Sequence, residues 1–424
     1  LTHCPRLAMV GETLHLLDAN GRLVYLSLDE GRTWDGPNQT GISPVHTMFD
    51  RPLELPDGSL LSTGHCHRGT TALPNLRQAP AEQMVYRSTD QGRTYAPLSV
   101  LSCGRYLVLC EGSMARLADG RIAALLRENS FVYEPMYLCL SADEGRTWTE
   151  PEPTPLVGHR PTLGLTASGK LLVTYRDVGP DAGTAAWMGT LEGLTGPYLV
   201  HGRTSPDRWA LRPLTDATSA TADLTVEVTA GEAPCAVHLG AWWRILRGRI
   251  EVRPPSIAGS KPRKRWRKLT EDQWNTLRFS YAAGRITLRV NGRKRLEIEV
   301  DPQAATTRAI LFGAAPVDKG DATSDISSWR RASLHIEEPR MVREYDWQWN
   351  ASQGLPHAEQ KRQVLELDND REAHFGDFGY SGWVQLPDGR FFCAYHHGGG
   401  GELGYEPSHS AHVRGAWFSE DDFA

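Results

Sequence analysis

Four stretches of this chain carry ionisable side chains at matching distances from a glycine turn. They read RPLELPDGSLLSTGH from Arg51, EGSMARLADGRIAALLR from Glu111, RPTLGLTASGKLLVTYR from Arg160 and YSGWVQLPDGRFFCAYHH from Tyr380. Counted from the turn glycines Gly58, Gly120, Gly169 and Gly389, Glu111, Arg160 and Tyr380 each fall nine residues before, and Arg51 falls seven before. On the return side His65, Arg127, Arg176 and His396 each fall seven after. Alternation along a strand puts residues two apart on one face, so these eight side chains are expected at equivalent ends of four hairpins. Several arginines converging with one glutamate and one tyrosine suit a carboxylate-bearing ligand, because guanidinium forks pair bidentately with carboxylates. Salt-bridged lining of a channel is the competing reading for any one of them.

The elements that must hold these residues are legible as repeats. Each stretch is a tight hairpin, with D-G or S-G between apolar, alternating strands. Between the hairpins the octapeptide S-x-D-x-G-x-T-[W/Y] occurs three times, at Ser27–Trp34, Ser88–Tyr95 and Ser141–Trp148. Its aspartate can accept hydrogen bonds from the turn backbone, its glycine supplies a positive φ, and its aromatic ring can pack between sheets. Recurrence at this spacing is the mark of a radial repeat. From about Trp209 to Pro339 the text changes to long alternating strands, ADLTVEVTA, WRILRGRIEVRP, WNTLRFSYAAGRITLRVNGRKRLEIEV and RASLHIEEP, with hairpin turns at Ala283-Gly284 and Asn291-Gly292. The expectation is an all-β protein: a six-bladed β-propeller of residues 1–205 and 340–424, at ~45 to 50 residues per blade, with a β-sandwich of residues 206–339 inserted between blades.

The octapeptide resembles the Asp-box of the sialidase (neuraminidase) superfamily, also known as the BNR repeat, and W-x-x-L-R-F-x-Y with RITLRVNGRK resembles concanavalin A-like (laminin-G-like) sandwiches. The likeness extends to the hairpins. Arg51-Pro52 is similar to the family's Arg-x-Pro motif with one residue missing, Glu111 and Arg127 match its glutamate sixteen residues before an arginine, and Tyr380-Ser381 with Leu386, Asp388 and Gly389 match its last hairpin. This resemblance implies an exo-acting glycoside hydrolase that releases a sialic acid-like sugar with retention, with Tyr380 as nucleophile and Glu111 as its base. A neutral phenol suits attack at an anomeric carbon bearing a carboxylate, where an anionic nucleophile is repelled. Arg51 and Arg127 are then two arginines of the family's carboxylate clamp, the third is open between Arg160 and Arg176 by registry, with Arg362 as the alternative, and His396 and Asp377 join the substrate-binding set.

One departure bears on the proton donor. The family places an acid/base aspartate on the loop after the Arg-x-Pro hairpin, yet here no carboxylate lies between Gly64 and Pro80; His65 and His67 stand there instead. Histidine exchanges protons near neutral pH and can take that role. Asp50 and Asp377 are alternative carboxylates, and Arg362 an alternative arginine. The histidines also admit a second reading, cleavage of a uronate-containing glycan by elimination or by another glycosidase route, and a third, a non-catalytic glycan-binding protein.

The remaining features narrow the class. With 46 Lys and Arg against 51 Asp and Glu, the net charge of -5 argues against general nucleic-acid binding, and no apolar run approaches a membrane span. Seven cysteines without zinc-type pairing read as small buried residues, leaning to a reducing compartment, while a chain starting at Leu1 leaves a trimmed export signal open, so no compartment is selected. No cofactor and no metal are expected: in His65-Cys66-His67 the cysteine faces away from both histidines, and His396 and His397 face opposite ways. The run from Lys261 to Lys268 reads as a solvated hairpin tip or an anionic-glycan contact.

Overall fold

In a computed structural model, residues 5–43, 48–66, 82–102, 108–129, 135–178, 183–195, 208–214, 216–253, 264–316, 318–341, 343–355, 361–369, 378–397 and 412–423 are described. Among them, regular structure consists of strands and short 3-10 turns apart from helical residues at 361–362, and no helix is long and apolar enough to cross a membrane. The chain divides into two compact units, one made of residues 1–196, 201–203 and 360–424, the other of 197–200 and 204–359.

The first unit is a series of antiparallel meanders. Four sheets have four strands: Arg6–Val10 to Asp35–Gln39, Leu53–Glu54 to Ala96–Ser102, Leu109–Arg116 to Glu152–Pro153, and Gly158–Leu165, Leu171–Asp177 and Gly183–Gly189 with Val364–Asn369. The fifth has three strands, Phe378–Gln385, Phe391–His397 and His412–Phe418. The described residues thus build five of the six expected sheets. Val364–Asn369 completes the fourth sheet instead of starting another, and Arg343–Asn350, past the expected end of the sandwich at 339, pairs inside the second unit.

Local chemistry explains the repeats. In the four hairpins Gly58, Gly120, Gly169 and Gly389 have φ between +78° and +89°, and each donates its N–H to the carbonyl three residues back. In the first octapeptide Asp29 accepts from the Thr33 N–H at 2.8 Å and the Thr33 hydroxyl at 2.6 Å, while Ser27 Oγ accepts from Gly31 N at 2.8 Å. The same bonds recur around Asp90 and Asp143. Between sheets the aromatic and aliphatic faces interlock, with Phe49, Leu60 and Tyr86 joining the first two and Leu61, Val85, Leu109 and Tyr137 the next. Around the axis polar bonds stitch the inner strands: Ser113 Oγ accepts from Leu163 N at 3.1 Å, Thr162 Oγ1 donates to Ser381 O at 2.6 Å, and Arg6 Nη1 donates to Ser381 O at 3.2 Å.

The octapeptide glycine is tightly constrained where it meets its neighbour. Gly92 has φ +79°, and a methyl group there would lie 2.8 Å from the His15 ring and 3.1 Å from Leu60 Cδ1. Gly92→Ala combines a left-handed penalty of ~1–2 kcal/mol with overpacking of ~1–3 kcal/mol. It should lower the urea midpoint without changing the m-value; an unchanged midpoint would show that the first two sheets are not locked at this contact.

The second unit is a sandwich of two six-stranded antiparallel sheets. One runs Arg208–Leu211, Ile310–Ala314, Cys235–Leu239, Ala241–Leu246, Arg249–Val252, Arg265–Lys268; the other runs Arg293–Glu299, Arg285–Val290, Asn275–Ala282, Thr221–Thr229, Ser328–Glu338, Arg343–Asn350. Strict alternation in Thr221–Thr229, with Ala222, Leu224, Val226 and Val228 inward, produces the shared core with Trp243, Phe279 and Phe312. Both predicted turns have two consecutive positive φ values, at Ala283-Gly284 and Asn291-Gly292, as type I′ hairpins require.

Candidate active site

Glu111, Arg160 and Tyr380, the three residues nine positions before their turn glycines, share a backbone conformation that none favours: φ is +46°, +52° and +49°. Each sits in a β-bulge, where pairing slips between Leu125 and Arg127, between His159 and Thr162, and between Gly379 and Gly382. Left-handed backbone costs a non-glycine residue ~1–2 kcal/mol, and such strain collects where a side chain is being re-aimed. The following glycine at 112 is required by crowding, since a methyl there would lie 2.8 Å from Leu126 Cδ2.

The centre of the cluster is a buried ion pair. Arg127 Nη1 donates to both Glu111 carboxylate oxygens at 2.9 Å, with both side chains under a tenth exposed. Burial opposes ionisation of Glu111, but the Arg127 and Arg160 charges and the Arg127 hydrogen bonds outweigh it and hold the carboxyl down at about 2. The Glu111 N–H donates to His65 Nδ1 at 3.4 Å, which leaves the imidazole proton on Nε2. Arg176 Nε donates to Phe378 O at 2.5 Å, and its guanidinium carbon lies 4.8 Å from the centre of the Tyr380 ring, a cation–π contact. The His396 ring stands 6.4 Å from that of Tyr380, nearly perpendicular.

Arg160 differs from the other arginines. Its side chain is fully buried, and Nε, Nη1 and Nη2 have no hydrogen-bond partner. A buried polar group left unpaired costs several times what a bonded one returns, so five N–H donors are held ready with nothing to receive them. His159, which sequence reasoning passed over, belongs to the same cluster: burial, then the Arg127 and Arg176 charges, push its imidazole down to about 2, so it stays neutral. Its one visible signal was adjacency to Arg160.

The other expected residues divide. Arg51 is half-buried, donates from Nη2 to Leu163 O at 2.8 Å and lies 5.9 Å from the Trp383 ring, so it braces neighbouring inner strands. Asp50 is buried against Arg6 at 3.8 Å and accepts from Met114 N at 3.4 Å. His397 is buried beside Asp368 at 3.5 Å. His67 and Asp377 lie outside the described residues. Among the described residues no group of three metal-ligating side chains is found. A groove of about 880 Å³ reaches Tyr380, His396, Arg51 and Thr162, walled by Leu7, Met9, Trp383 and Val413.

The three octapeptides and the first three hairpin turns fall inside one matched region. Residues 8–179 match the BNR repeat-like domain. Among curated proteins none matches this sequence. Similar solved structures include a protein of unknown function from Dyadobacter fermentans (14% identity, 97% of this chain and 93% of that one, TM-score 0.38) and the Fusarium graminearum α-L-arabinofuranosidase (11%, 73% and 92%, 0.37). The Trypanosoma rangeli sialidase is a further likeness (10%, 76% and 65%, 0.27). At these identities and scores the BNR match, and not the neighbours, carries weight.

Proposed function

We propose that this BNR-repeat propeller is a glycoside hydrolase that removes a carboxylate-bearing sugar from the end of a glycan, with retention. The observation that carries this reading is the fully buried, unpartnered Arg160 guanidinium beside the Glu111–Arg127 pair. A substrate carboxylate supplies the missing acceptor, and Arg127 and Arg176 complete the cationic surround. Tyr380 is the nucleophile: cations near the phenol stabilise the negative charge that develops on its oxygen as the proton leaves, before the bond to the sugar consumes it.

Glu111 takes the phenolic proton. With its carboxyl held at about 2 it is a poor base in the free protein. A bound carboxylate shares the charges of Arg127 and Arg160, relieves that depression and raises the basicity of Glu111 when substrate is present. His65 must first take up a second proton on Nδ1, in place of the 3.4 Å bond from Glu111 N; as imidazolium it then protonates the leaving oxygen from Nε2 and returns to the neutral ring. Water then cleaves the tyrosyl glycoside with the two proton transfers reversed.

The test is product analysis with a panel of sialylated and uronate-ended oligosaccharides, followed by incubation with a fluorinated analogue of whichever sugar acid is released. Release of a saturated sugar acid of retained configuration, and a mass increase on the peptide holding Tyr380, are expected. Unsaturated products lacking the added water would replace hydrolysis with elimination, and binding without turnover would leave a glycan-binding protein.

A further inference from the structure

The sandwich unit holds a cavity that the proposed hydrolysis does not use. It encloses about 400 Å³ and is lined by His238, Trp242, Arg244, Glu251, Lys264 and Asp318. Alternation explains how these residues share one face. In Ala241–Leu246, Trp243 and Ile245 enter the core while Trp242 and Arg244 point outward; in Arg249–Val252, Ile250 and Val252 enter it while Glu251 points outward. Register places Arg244 opposite Glu251, Glu251 opposite Trp266, and His238 opposite Trp242. Trp266 is 58% exposed, so an indole stands on either side of the charged row.

The polar groups are fixed as in a binding site. Glu251 is only 5% exposed although it faces outward, and it is held by Lys264 at 2.7 Å and Arg249 at 3.5 Å. Arg244 donates from Nη2 to both oxygens of Asp321 at 2.7 Å and from Nη1 to Asp318 at 2.5 Å, while its buried Nε has no partner. The Trp242 ring is oriented by an edge contact with His238, whose Nδ1 is 2.9 Å from Ala309 O. A surface ion-pair network alone needs neither a half-buried indole floor nor a glutamate sealed from water.

Charge chooses the ligand. On the lining the cations Arg244, Arg253 and Lys264 exceed the carboxylates Glu251 and Asp318 by one, but Arg244 and Lys264 are already engaged by Glu251, Asp318 and Asp321, so little free charge is left to attract an anion, in contrast to the arginine cluster of the propeller. Indole faces stack on the C–H faces of sugar rings, and rigid carboxylates and guanidinium groups bond adjacent hydroxyls. We propose that this face is a second saccharide site, taking a neutral glycan chain across Trp242 towards Trp266.

Affinity electrophoresis of the full chain through gels containing dextran, arabinan, xylan or galactan, with polygalacturonate as the anionic comparison, tests this. At least one neutral polysaccharide should retard the protein. Trp242→Ala should weaken that binding about tenfold or more, as loss of a central aromatic anchor does. Asp318→Asn, at an exposed loop carboxylate, should weaken it several-fold with an unchanged thermal transition, so a folding defect in the first variant cannot decide the matter. Arg160→Met should leave the retardation as it is, which separates this site from the propeller reading. Retardation by polygalacturonate alone, by no polymer, or equally in Trp242→Ala and the parent would overturn the proposal.

Discussion

Arg160→Met should make the protein more stable and catalytically dead. Methionine fills much of the same volume without charge or N–H donors. Holding an ion out of water without hydrogen-bonded partners costs several kcal/mol, and Arg160 has no hydrogen bond to lose. Glu111 keeps both bonds from Arg127, so it is not stranded. Activity should nevertheless fall by about three orders of magnitude in kcat/KM, since losing one partner of a desolvated carboxylate pair costs ~2–5 kcal/mol. Urea denaturation and initial rates on the same preparation decide this. A variant several kcal/mol less stable would mean that Arg160 is a strut and not a waiting ligand.

Glu111→Gln should do the reverse to stability. It removes the carboxylate that accepts both Arg127 bonds and the buried negative charge that offsets Arg127 and Arg160. Breaking one side of a buried pair costs ~3–5 kcal/mol. The pH dependence gives an independent check. The folded Glu111 carboxyl is depressed from 4.5 to about 2, so its stabilisation is fully present above about 4.5 and drains away as pH falls towards 2. The size is about 3 kcal/mol. Asp29 and Asp143 are also depressed to about 2, but they titrate in both proteins and cancel in the difference. The parent and Glu111→Gln should therefore converge in stability between pH 4.5 and 2, and parallel curves would remove Glu111 from the centre of the cluster's electrostatics.

What the sequence made legible was whatever a short-range rule dictates. Gly120 must turn because D-G between apolar strands leaves it no choice, and Asp143 must close its loop because Ser141 and Thr147 stand at the right offsets. Counting from those turns brought Glu111, Arg127, Arg176 and Tyr380 together without knowledge of the rest. The bulges were illegible, because glutamate, arginine and tyrosine have no preference for positive φ and only the surrounding sheets impose it. That is why His159 was missed: regular alternation turns it away from its neighbour Arg160, and the bulge cancels the rule. Arg51 was placed by count alone, which could not show that it braces Leu163 and Trp383. Nor could any local pattern reveal that Val364–Asn369 completes the fourth sheet, since its partner Gly183–Gly189 lies on the far side of the insertion.

That last pairing sets an order of events during synthesis. When Gly183–Gly189 leaves the ribosome, one edge is bare, and the strand that covers it is not made until the whole sandwich has been translated. At ~5–20 residues per second the wait is on the order of ten seconds. A bare edge strand is a template for a neighbouring nascent chain. Recovery of folded protein is thus governed by crowding and translation speed in that interval, and fewer nascent chains per cell at an unchanged elongation rate should improve yield even when the finished fold is no more stable.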